Sequence, residues 1–110
     1  MKLMTKEIEK KLEKLPIGSQ HDLKNDDIKI VAKFFFPIGS ATWYVAEGSK
    51  QENGDWMFWG YVIGDFPEWG YFTLSELEDV GKHFILGVER DKWFTPSKFG
   101  EMKGREYGVA

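Results

Sequence analysis

With 110 residues, of which 42% are hydrophobic and 16% aromatic, the chain has the length and core-forming content of one folded domain, which argues against extensive disorder. The absence of cysteine excludes disulfides, thiolate catalysis and cysteine-based zinc sites, and suits a reducing compartment. The net charge of −3 is uneven, +2 over residues 1–14, −7 over 15–89 and +2 over 90–110, and the acidic middle weighs against a non-specific nucleic-acid binder.

The opening MKLMTKEIEKKLEKL alternates charged and apolar residues and so lacks the continuous apolar stretch of a signal peptide. No segment approaches the run of about 20 apolar residues that a membrane helix needs, so a cytoplasmic protein with no membrane contact is expected. Thr5 is placed to cap a helix whose apolar face is Ile8, Leu12 and Leu15, and Pro16 and Gly18 stop it. Residues 16–27 have turn chemistry and read as a loop. Alternation over Ile28–Phe36 predicts a first strand, with Ile28, Ile30, Ala32, Phe34 and Phe36 on one face and Lys29, Val31, Lys33 and Phe35 on the other.

Thr42–Glu47 reads as a second strand and Asp55–Ile63 as a third, joined through Asn53-Gly54 as a hairpin. The third strand is apolar on both faces, as expected of a central strand or of one with an exposed aromatic face, and Gly60 in its middle marks a bulge or a close approach. Trp69–Phe72 makes a short fourth strand. Thr73-Leu74-Ser75-Glu76 has the form of a capping box, opening a helix with Leu74, Leu77 and Val80 that ends at Gly81. A further short helix is expected from Thr95-Pro96, and the tail 100–110 is expected to be loosely held. The organisation is thus a single domain over 1–110, centred on Trp56–Glu78, which holds eight of the eighteen aromatic residues.

Catalytic and metal signatures are missing from the pattern. His21 and His83 have no metal-ligand spacing, no serine stands in a nucleophile elbow, and no glycine-rich phosphate cradle occurs. The carboxylates that would suit acid–base work are Glu47, Asp65 and Glu68 around Pro67, and Glu89 beside Asp91, with Arg90 between the last two offering donors to both. No catalytic residue, metal or cofactor is therefore expected. The aromatic excess is the remaining signal, because Tyr and Trp give large rigid contact area with a polar handle. Trp43, Trp59, Tyr61, Trp69 and Tyr71, with Arg90, are the candidate binding residues.

The stretches LMTKEIEKKL (3–12), VAKFFFP (31–37), TWYVAEG (42–48), FWGYVIG (58–64), EWGYFTLSELE (68–78) and VERDKWFTP (88–96) resemble, in this order, a family of small bacterial proteins of unknown function found on plasmids, conjugative elements and phages. The resemblance implies a mobile-genetic-element setting and a compact α+β domain, and carries no functional residues with it. The fold expected is α+β: an antiparallel sheet of four to five strands, an N-terminal helix and one or two short C-terminal helices. The function expected is non-catalytic binding of a host or element-encoded protein through an aromatic and acidic surface. The alternatives are a small-ligand or nucleotide-sequestering protein, in which Lys29, Lys33 or Arg90 meets a phosphate, and a single-stranded nucleic-acid binder. An enzyme using Glu47, Asp65 or Glu89 ranks last, and oligomeric state is not legible.

Overall fold

The computed structural model describes residues 1–82 and 84–107, for Tyr107 the backbone alone. The expectation for His83 and the last three residues of the expected tail fall outside the described residues. Helix α1 (Lys6–Glu13) is capped as expected: Thr5 Oγ1 accepts from the Ile8 amide at 3.2 Å, and Ile8 and Leu12 are buried. Satisfying an otherwise orphan amide and burying one apolar face are what make so short a helix persist.

The sheet is antiparallel and five-stranded. Its strands are β2 (Ala32–Phe35), β3 (Thr42–Lys50), β4 (Trp56–Ile63), β5 (Pro67–Thr73) and β6 (Glu89–Arg90), in the order β5-β4-β3-β2-β6. A separate two-stranded sheet pairs β1 (Lys29–Ile30) with β7 (Ser97–Lys98). The β3–β4 hairpin turns at Gly54, whose φ of +88° is the left-handed value that glycine takes without strain. Helix α2 (Leu74–Asp79) follows β5 directly, with Thr73 Oγ1 accepting from the Glu76 amide at 3.1 Å. The α+β class with its terminal helices is as expected.

One face of the sheet packs under α1 and α2 around Phe34, Val45, Phe58 and Phe72, with Leu12 and Leu77 from the helices. The other packs under helix α3 (Phe99–Tyr107) around Ile28, Ile30, Tyr44, Ala46, Phe99 and Met102, with Trp59, Tyr61 and Trp69 partly buried against them. The continuous first strand expected over Ile28–Phe36 breaks at Val31. Ile28 and Ile30 join the α3 side while Val31, Ala32 and Phe34 join the α1 side, so the alternation is out of phase across the break. A period of two specifies a face only while the ladder is unbroken.

A second break explains Gly60. The β3–β4 register shifts between Val45 and Glu47, so Ala46 is an extra residue opposite Gly60. A Cβ on Gly60 would stand 1.8 Å from the Tyr44 carbonyl oxygen, so only glycine lets the bulged strand come this close. The bulge turns Glu47 onto the α3 side, paired with Trp59, and leaves Gly48 opposite Phe58 on the α1 side.

The C-terminal expectations need correction. No helix starts at Thr95-Pro96: the chain there leads into β7, and the helix opens at Phe99 and continues through the stretch from Gly100 expected to be loose. Met102 is fully buried and Phe99 nearly so. Glycines at 100 and 104 lower helix propensity, but burial on the sheet overrides that weak local preference. Gly100 also lies close under Asp26, where a Cβ would meet the Asp26 Cβ at 3.0 Å.

Candidate functional site

Two constellations share the α3 side of the sheet. The first is a band of rings. Cross-strand register places Trp59 beside Tyr71 and Tyr61 beside Trp69. Trp59 and Trp69 stack with centroids 4.9 Å apart, and Tyr61 meets Trp69 edge-on at 5.2 Å. Phe99 from α3 packs on Tyr61 at 4.8 Å and Trp69 at 4.9 Å, and His21 stands edge-on to Trp59 at 4.7 Å. These separations are those of favourable aromatic pairs. Tyr71, 57% exposed, carries the band out to solvent on β5.

The second constellation lies below His21. Glu47 is fully buried, and its carboxylate accepts from the Gly18 and Gln20 amides, each at 2.7 Å, while His21 Nε2 stands 3.3 Å from Oε1. The Gln20 side chain is buried beside it. Its amide donates to the carbonyls of Lys29 and Ala46, both at 3.1 Å, and its Oε1 accepts from the Lys29 amide at 2.8 Å. Lys29 lies on β1, shortly before the break at Val31, and Ala46 is the extra residue at the bulge, and backbone groups of both are paired by a side chain. Gln20 supplies those bonds, and Glu47 fixes the loop that carries Gln20. Buried polar groups need such partners, and among the described residues no buried side-chain polar atom lacks one. Glu47 is engaged by two backbone donors and shielded from solvent, which is the arrangement of an anchor for the 16–22 loop.

The candidate residues divide between the two sides. Trp59, Tyr61, Trp69 and Tyr71 come together, whereas Trp43 faces the α1 side, paired with Phe34 and Val62 and packed on the core there. Arg90 is elsewhere again. Its guanidinium donates to the main-chain carbonyls of Lys2 and Leu3, and its amide donates to Met1 Sδ at 3.1 Å. The expected bridge from Arg90 to both Glu89 and Asp91 is therefore not made, because successive strand residues point to opposite faces. Asp91 instead stands 3.7 Å from Lys33 Nζ, which also donates to Glu106 at 2.6 Å, and the Tyr44 hydroxyl donates to that carboxylate at 3.1 Å.

A family model for proteins of unknown function, DUF2958, matches residues 3–99. The chain belongs to this family. Neither curated proteins nor solved structures give a match. Within the DUF2958 match lie the whole ring band and all of the Glu47 anchor, whereas α3 continues past its end.

In this DUF2958 chain the carboxylates weighed for acid–base work are dispersed. Glu47 is interior on β3, Asp65 is exposed between β4 and β5, and Glu89 lies on β6 at the far edge of the sheet. Among the described residues no group of three His, Asp or Glu side chains has the arrangement of a metal site, and no helix is long and apolar enough to cross a membrane. The stacked pair Trp59–Trp69 fills the space that a sandwiched ligand ring would need. Of the phosphate-binding candidates, Lys33 is engaged by Glu106 and Arg90 by the N-terminal backbone, whereas Lys29 is exposed on β1. Sequence reasoning missed the partnership of Glu47, Gln20 and His21. The one signal was a lone acid inside the apolar run TWYVAEG, and its partners lie more than 25 residues away in a loop with no periodicity.

Proposed function

We propose that the chain is a non-catalytic binding protein that engages a partner protein at the edge formed by β4 and β5. What supports the reading is the ring band of His21, Trp59, Tyr61, Trp69 and Phe99, which is rigid by mutual packing and ends on the exposed Tyr71. Rigid aromatic anchors beside a polar rim are the usual composition of a binding hot spot. Acidic residues flank β5 in sequence, since Asp65, Glu68, Glu76, Glu78 and Asp79 are all exposed with no basic residue among them, Glu68 and helix α2 lying toward the α1 side of the sheet. Such charge speeds the encounter with a basic partner more than it adds affinity. The setting we propose is the cytoplasm of a bacterium carrying a plasmid, conjugative element or phage, with a host or element-encoded partner.

The test is site-specific photocrosslinking in cells. A photoreactive residue at Tyr71 is expected to capture one discrete protein, and the same residue at Ile38, exposed in the turn between β2 and β3, is expected not to. The same smear at both sites, or no adduct at Tyr71 from a folded protein, would refute the reading.

A further inference from the structure

The two edges of the sheet are finished differently. At the β6 edge the strand is two residues long, and Arg90 ties it to Met1, Lys2 and Leu3, so the N-terminal segment covers that side. At the other edge β5 is seven residues long, and among the described residues no backbone hydrogen bond reaches residues 67–72 except from β4. An open edge presents a row of unpaired amides and carbonyls, a template for one more strand.

From this we infer that β5 docks an extended, basic segment of a partner protein, which joins the sheet as an added strand. The inference rests on the binding reading above and names the mode and the partner's chemistry. Charge decides the occupant. Asp65 and Glu68 stand at the start of β5, and Glu76, Glu78 and Asp79 follow its end, all of them exposed. An acidic strand would be repelled at both ends of β5. A second copy pairing β5 with β5 would bring both acidic sets to one edge, so self-association is disfavoured. A strand carrying Lys or Arg across from Glu68, which shares the α1 side of the sheet with Phe72, forms a cross-strand ion pair, and its alternate residues lay apolar side chains beside the exposed Tyr71 ring on the α3 side. Main-chain bonds would give affinity and these side chains selectivity, as in other strand-addition interfaces.

The experiment uses the isotope-labelled full chain and three synthetic peptides: an extended peptide alternating Lys with Val, the same peptide with Glu for Lys, and the Lys peptide N-methylated at alternate residues along one edge. Expected with the Lys peptide are slowed hydrogen exchange at those β5 amides that do not bond β4, and shifts at Tyr71 and Trp59. The Glu peptide is expected to do neither, and N-methylation on the bonding edge is expected to abolish the protection. Glu68→Lys, at an exposed position, is expected to weaken the Lys peptide about three- to fivefold. Shifts at Tyr71 and Trp59 without protection of β5 amides would overturn strand addition while leaving the contact surface intact. Equal binding of the Glu peptide, no response to any peptide, or a dimer formed through β5 would each overturn the inference. Because the crosslinking at Tyr71 is read separately, failure here is distinguishable from failure of the binding reading.

Discussion

On the α1 side of the sheet, Phe34, Val45 and Phe58 are wholly sealed from solvent beneath Leu12 and Leu77, whereas on the α3 side Trp59, Tyr61 and Trp69 are only half covered and Tyr71 is open. The same β4 strand feeds both, through alternate residues. The α1 side holds apolar side chains in a closed interior, while the α3 side adds a buried carboxylate, a buried amide and a band of rings that reaches the surface. Burial of apolar area drives the fold from the first side. The second side combines stability with a surface that a small core does not require. Each of the following changes bears on that contrast.

The largest expected effect is on the sealed side. Phe58→Ala removes a fully buried ring packed between Phe34 and Phe72, and is expected to destabilise the protein by about 3–5 kcal/mol. Tyr71→Ala, on the open side, is expected to change stability by no more than about 0.5 kcal/mol. Urea unfolding of the two variants checks both, and similar losses at the two sites would dissolve the distinction between a structural and a contact face.

Glu47 tests whether the α3 side is held by more than apolar packing. Glu47→Ala strands the Gly18 and Gln20 amides and removes the neighbour of His21, for an expected loss of about 3 kcal/mol. Hydrogen exchange at Gly18 and Gln20 is expected to rise in Glu47→Ala more than the global loss of stability explains, because the carboxylate anchors that loop. If exchange rises only in step with global stability, the loop is held by other contacts and Glu47 is an ordinary buried pair.

The α+β class, α1 with its Thr5 cap, the β3–β4 hairpin and the start of α2 were legible because local chemistry and periodicity determine them. Gly60 signalled a bulge, and a bulge lies opposite it. The consequences of irregularity were not legible. Alternation assigned Ile30 and Ala32 to one face, but the break at Val31 separates them, and the shift at Ala46 carries Glu47 to the side opposite the one its spacing from Val45 implies. Helix α3 was hidden because Gly100 and Gly104 depress its propensity and its apolar contacts, Phe99 and Met102, are only two. Of the candidate residues, four of the aromatics met on one face because they alternate on adjacent strands. Trp43 and Arg90 did not join them, since strand parity and the N-terminal segment send them elsewhere.

The smallest expected effect concerns how α2, part of the sealed side, is tied to the β3–β4 hairpin. The Ser75 hydroxyl donates to Asp55 at 2.6 Å, and the Trp56 and Ser75 amides donate to the same carboxylate. The Ser75 hydroxyl is the main cause that holds the Asp55 pKa below its ordinary 3.8; burial opposes it and the two amides reinforce it. A carboxyl with a depressed pKa in the folded protein binds protons more weakly than in the unfolded chain. Its stabilising contribution is therefore complete above the unfolded value of 3.8 and is lost as pH falls through the lower folded value. Asp55→Asn is accordingly expected to be slightly less stable than the native chain at neutral pH, with a gap that stays constant down to about pH 5 and closes below about pH 4. Ser75→Ala is expected to show the same profile, since it removes the principal cause of the shift. Urea midpoints at several pH values would decide the matter. A gap that persists at low pH would mean that α2 depends on the shape of the Asp55 side chain and not on its charge, placing this attachment with the packing of Leu77 and not with the electrostatics of the surface.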